Sequence, residues 1–145
     1  MAGFGQTTRA DILNFGFKGT AFTGKAFNAA GVYYISLHTA DPGADGQTSN
    51  EVSGGSYAAK STAASDWSTA TAADPAETNN SNAITFVTAT GSWGTVTHAG
   101  IWNHPTTRGT ANFVGRGALS ASQAIASGNT FSFPATTLKI QMSSI

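Results

Sequence analysis

From residue 31 onward, apolar residues recur at alternate positions, in short runs broken by Gly, Pro, Asp and Asn. That pattern fits strands with one buried face, and the breaks come too often for long helices. "GVYYISLHT" (31–39) is the first run, bounded by Gly31 and by the turn cluster "DPGADG" (41–46). In that cluster Pro42 presets φ, and Gly43 and Gly46 allow φ > 0. "AITFVTAT" (83–90), "GTVTHAGIWN" (94–103), "TANFVGRGAL" (110–119), "NTFSFPA" (129–135) and "TLKIQMS" (137–143) follow. In the last run Leu138, Ile140 and Met142 fall on one face, and Lys139 and Gln141 on the other. "SGGSYAAKS" (53–61) suggests a further short strand near Tyr57. The polar stretch 62–81 reads mostly as loop, with Trp67 as an anchor.

The front of the chain differs. "MAGFGQ" (1–6) reads as a flexible end. In "TTRADILNFGFKG", Thr7 or Thr8 suits a helix cap and Asp11 the first turn. Ile12, Leu13, Phe15 and Phe17 supply apolar bulk, and Gly19 suits the end. A helix over about 8–18 is expected. The fold class expected is mainly β: a β-sandwich, jelly-roll-like, with one short N-terminal helix. A length of 145 residues suits a single domain over 1–145, with 1–24 as its N-terminal arm.

Composition narrows the function. The chain has no cysteine, so disulfides and thiolate metal sites are excluded. Seven basic and seven acidic residues cancel, and charged residues make up 10% of the chain, against roughly 25% in typical soluble domains. A surface so poor in charge resists association weakly, which points to partners covering it. It lacks the basic face that nucleic acid requires. No apolar run reaches membrane-spanning length and no signal-peptide pattern is visible, so neither membrane nor nucleic acid is expected as a partner.

Individual motifs give little chemistry. "GTAFTGKA" (19–26) approaches a phosphate-binding loop, but Ala26 stands where the magnesium-binding hydroxyl belongs, and a linker is the better reading. In 41–52, Asp41, Asp45 and Gly46 match calcium-loop positions 1, 5 and 6. Gly43 then fills position 3, Val52 fills position 12, and Glu51 falls one place short. A turn capped by Asp41 is the reading adopted. His38, His98 and His104 show no metal-ligand spacing, and structural hydrogen bonding is expected of them. No serine lies in a nucleophile elbow. A carboxylate pair for glycoside hydrolysis would need Asp41, Asp45 or Glu51 to converge. No catalytic, cofactor-binding or metal residue is therefore expected, and no enzyme. Trp93, Trp102, Phe131 and Phe133 are expected in the core or an interface, rather than as a sugar-stacking platform.

Four blocks carry a resemblance: "VYYISLHTADPGADG…NEVSGGSYA", "AITFVTATGSWGTVTHAGIWN", "FVGRGALSASQAIASGNTFSF" and "LKIQM". Together they resemble a family of small virion proteins of tailed bacteriophages, from the front helix to the last strand. Ala59 departs from the arginine that the family often carries after "YA". The resemblance implies a non-catalytic particle component. The expected role is a capsid decoration or cement protein, bridging capsomers and bound to the major capsid protein. The alternative is a tail or tail-fibre-associated protein used in attachment or receptor binding. Either implies a homo-oligomer, a trimer being expected, located in the virion and assembled in the bacterial cytoplasm. Loops 41–56 and 62–81, and the N-terminal segment to about Gly24, are the expected contact regions.

Overall fold

The computed structural model describes residues 3–19, 30–46 and 48–142. Antiparallel strands dominate. They are β1 (Gly3–Phe4), β2 (Tyr33–His38), β3 (Lys60–Thr62), β4 (Ala76–Asn79), β5 (Ile84–Thr85), β6 (Gly94–Trp102), β7 (Phe113–Ile125), β8 (Ser132–Phe133) and β9 (Lys139–Met142). One helix, α1 (Gln6–Lys18), sits between β1 and β2. The molecule is mainly β with one helix, as the sequence indicates.

Five strands form one sheet in the order β1-β7-β6-β2-β3. β4 pairs with β9, and β5 with β8. The β5–β8 pairing runs on past its regular part: Phe86 N–H donates to Phe131 O and Ala89 N–H to Asn129 O, both at 2.9 Å. Together these pairs make the second layer of a sandwich-like arrangement. Ile35 and Leu37 of β2 and Ile101 of β6 share one buried cluster with Ile84, Phe86, Phe131 and Phe133 from that layer. Phe86 is central, with edge-on contacts to Trp93 and Phe131. Large aromatic rings bury much apolar surface, and edge-to-face pairs add to their transfer free energy.

Several local expectations are corrected. The end expected to be flexible over 1–6 is ordered at Gly3 and Phe4, which pair with Arg116 and Gly115. That pairing fixes where α1 begins. Gly5 is its N-cap, and a Cβ there would come within 2.8 Å of the Phe113 ring. Thr8 does not cap the helix. It is buried, and its hydroxyl donates to the Phe113 carbonyl at 3.0 Å. Asp11 accordingly falls in the second turn. Gly19 does end the helix, in the left-handed region at φ 62°.

The strand expected near Tyr57 starts at Lys60 instead. Tyr57 ties the loop to the sheet by its side chain. Its hydroxyl accepts the Leu37 N–H at 2.8 Å, on the stretch of β2 beyond its pairing with β3. Part of the expected loop 62–81 is strand β4. The motif at 19–26 lies outside the described residues beyond Gly19.

Candidate functional site: the capped face of the sheet and the exposed helix

The five-stranded sheet has two unlike faces. Side chains alternate along a strand, so Ile35 and Leu37 point to the core while Ser36 and His38 point the other way. His98 lies directly opposite His38, and Gly100 opposite Ser36. This outer face is covered by the loop that follows β2 and by the turn between β6 and β7. Gly46 makes the cover possible. Its φ is +69°, and a Cβ would meet the Phe113 and Trp102 rings at 2.6 and 2.7 Å.

Under the cover lies a connected polar chain. The Trp102 indole N–H donates to Ser36 Oγ at 2.7 Å, and Ser36 Oγ lies 2.7 Å from His38 Nε2. His38 Nδ1 lies 2.8 Å from Asn50 Oδ1, and Asn50 Nδ2 donates to the Asp41 carbonyl at 3.0 Å. Gly100 leaves the space: a Cβ there would sit 2.7 Å from Ser36 Oγ. Burial pushes the His38 imidazole below its ordinary pKa. Asn50 and Glu51 oppose that shift, and Arg108 and His98 add to it.

Beside this chain the Arg108 guanidinium grips both oxygens of Glu51, at 2.9 and 2.7 Å. The same group stacks over the Trp102 ring, 4.8 Å from its centroid. Two-pronged binding and stacking suit arginine's planar fork. Asp41 turns away to Arg116 and accepts the Gly43 N–H at 2.8 Å, the turn cap expected of it. Burial raises the Asp41 pKa, but Gly43 and Arg116 outweigh that and hold it below the usual carboxylate range. Burial also pushes the Tyr57 phenol far above its ordinary value.

The residues singled out in the sequence are thereby placed. Asp41 and Glu51 go to different arginines, Arg116 and Arg108. His104 Nδ1 accepts the Thr107 N–H at 2.8 Å in its own turn. Among the described residues no three of His, Asp and Glu come together as a metal site would need. Ser36 and His38 resemble a nucleophile and its base, but both are fully buried beneath the covering loop. Trp93, Trp102, Phe131 and Phe133 are all buried. They offer no platform for stacking a sugar.

Two features do face solvent. Leu13 and Phe17 of α1 are 58% and 87% exposed. They lie four residues apart, hence on one helix face. Gly16 between them has open space around it. The second feature is a cleft of about 530 Å³ between β7 and the β8–β9 segment, with Phe4, Leu119, Phe133, Leu138 and Ile140 among its walls. It exists partly because β7 places Gly115 and Gly117 opposite Ile101 and Ala99. Cross-strand partners share a face, so β7 contributes no side chain to that layer at either position.

A family model described as podophage GP4 fiber I protein gp80 matches residues 3–141. No curated protein matches the chain. The match spans both layers of the sandwich and the helix. The chain belongs to this family of bacteriophage virion structural proteins.

Proposed function

We propose that this member of the podophage fibre family is a tail-fibre-associated structural protein of the virion, acting by attachment rather than by catalysis. The observation that carries the reading is the family match over residues 3–141. It favours the tail over the head-decoration role also expected from the sequence, for which the match offers no support. The partners are then other tail proteins and further copies of this chain, and a trimer is the assembly proposed.

The geometry is consistent with a passive part. The carboxylates Asp41, Glu51 and Glu77 are committed to Arg116, Arg108 and Lys139. Among the described residues, the Ser36–His38 pair of suggestive geometry is sealed in. Leu13, Phe15 and Phe17 of α1 are among the large apolar side chains exposed at the surface, with Val87 and Met142 elsewhere, and those on α1 suit burial against a neighbour. Contacts repeated around a symmetric fibre gain strength from their number, so each one needs only modest area.

Gold-labelled antibodies against the purified chain test the assignment on intact particles. Label confined to the tail is expected. Label distributed over the head surface would overturn the tail reading in favour of decoration. Unlabelled particles that lack the chain by mass spectrometry would remove both.

A further inference from the structure

We propose that the Ser36–His38–Asn50 chain is an acid-released latch, holding the loop after β2 over the outer face of the sheet at neutral pH and letting it go on acidification. The latch does not depend on where in the particle the protein sits.

The hydrogens in the chain run in one direction only. The Asp41 carbonyl can only accept, so the Asn50 atom facing it is the NH2 group. Asn50 therefore presents its carbonyl oxygen to His38, and Nδ1 of His38 must carry the proton. Nε2 is then a bare acceptor. Ser36 Oγ already accepts the Trp102 indole N–H, so its own hydrogen goes to Nε2. Both ring nitrogens of His38, the Ser36 hydroxyl and the Trp102 N–H are then satisfied when His38 is neutral. A second proton on the ring puts an N–H where Nε2 must accept. Ser36 then has to turn its hydrogen away, in a site with no exposure to water. A buried hydroxyl without an acceptor and a buried cation are both costly.

The neighbours do not rescue the cation. His38 is flanked on its own strand by Ser36, and from β6 by His98 and Trp102. From the covering loop come Asn50, Glu51 and Asp41, from the β6–β7 turn Arg108, and beside Glu51 the Tyr57 hydroxyl. Glu51 has the favourable sign, but Arg108 occupies both of its oxygens. Asp41 is held by Arg116 and Gly43. Arg108 and His98 act against a positive ring.

Releasing the loop is the simplest relief, because Asn50 joins the ring to it. The Asn50 carbonyl also accepts the Thr39 N–H at 2.9 Å, and Val52 N–H bonds Leu37 O at 2.9 Å just beyond. Once the ring is wet it binds its proton as a free histidine does. The open state therefore gains population as pH falls below the ordinary histidine value of 6.5.

Amide hydrogen exchange by NMR, normalised for intrinsic rates, reads the latch from about pH 7.5 to 4.5. The Thr39, Glu51 and Val52 amides should lose protection by up to about tenfold per pH unit below the ordinary histidine value. Those of Ile35 and Ile101 should hold. His98→Gln should keep this response and His38→Gln should abolish it. Flat protection in the wild type, or a loss that persists in His38→Gln, overturns the proposal. Should His38→Gln fail to fold, the wild-type His38 ring resonances decide. Titration below 6.5 in step with loop opening supports the latch. Titration at 6.5 or above, with the loop still protected, refutes it.

Discussion

Gly46 carries much of the cover over the outer face. Its left-handed backbone and its contact with two rings both require the missing Cβ. Gly46→Ala should cost about 2–4 kcal/mol, through strain at φ +69° and displacement of Phe113 and Trp102. Urea denaturation checks this, and a change under about 0.5 kcal/mol would contradict it. The acid response belongs to the same scale. A histidine whose pKa is lowered on folding contributes full stability above its unfolded value of 6.5, and stability falls as pH drops below that. Asp41 and Glu77 have folded pKa values held below 3.8 and 4.5. Their contributions are present above those unfolded values and are lost as pH falls through the folded ones. For Glu77 the cause is Lys139, then Gln141. Melting temperature should therefore fall in two stages, first below the histidine value of 6.5 and then below about pH 4. His38→Gln should remove the first stage alone. The sequence made some of this legible. Ser36 and His38 alternate with Ile35 and Leu37, so a polar stripe on the far face follows from period two. Asn50 and Arg108 were not legible as its partners, because loops bring them in: Asn50 lies 12 residues from His38, and Arg108 lies 57 from Glu51.

At the scale of elements, α1 and β4 show the two ways in which local pattern reading fails. The helix was legible in type and in its C-cap, since Gly19 needs only local geometry. Its start was not, because the pairing of Gly3 and Phe4 with β7 decides it. β4 was hidden for a similar reason: "AETN" has no apolar alternation, and its pairing with β9 makes it a strand. Asn80, at the end of β4, secures that pair. Its Nδ2 donates to Asn82 O and Pro134 O, and its Oδ1 accepts the Leu138 N–H at 2.8 Å. Asn80→Ala leaves the Leu138 N–H and the Asn82 carbonyl in need of partners, while Pro134 O keeps Thr137, and should cost about 2–3 kcal/mol. Exchange at β9 should rise more than at β2, and equal changes at both would argue against this local role. For α1 the expectation is reversed. Leu13→Asp with Phe17→Asp should leave stability within about 0.5 kcal/mol, since both side chains are exposed. Self-association or uptake into particles should fail, as read by light scattering and by particle composition. A protomer that unfolds instead would show that α1 packs inward.

Across the whole molecule, the charge-poor composition finds its counterpart in the structure. Buried aromatics bind the two layers of the sandwich, a polar chain seals the outer face, and the apolar surface that remains includes one stripe on α1. The β-rich class was legible because period two is a local signal. How the strands are ordered was not, since β1 pairs with β7 from the far end of the chain, Gly3 against Arg116. Head against tail was also beyond the residues themselves, because both roles ask for a neutral, association-prone β domain. The family match supports the tail reading proposed above. The most direct measurement is a cryo-EM map of the intact particle into which this chain is fitted. A tail-fibre role predicts its density on the tail, with Leu13 and Phe17 buried against a neighbouring subunit. Density on the head shell, or on the tail with α1 facing solvent, would contradict it.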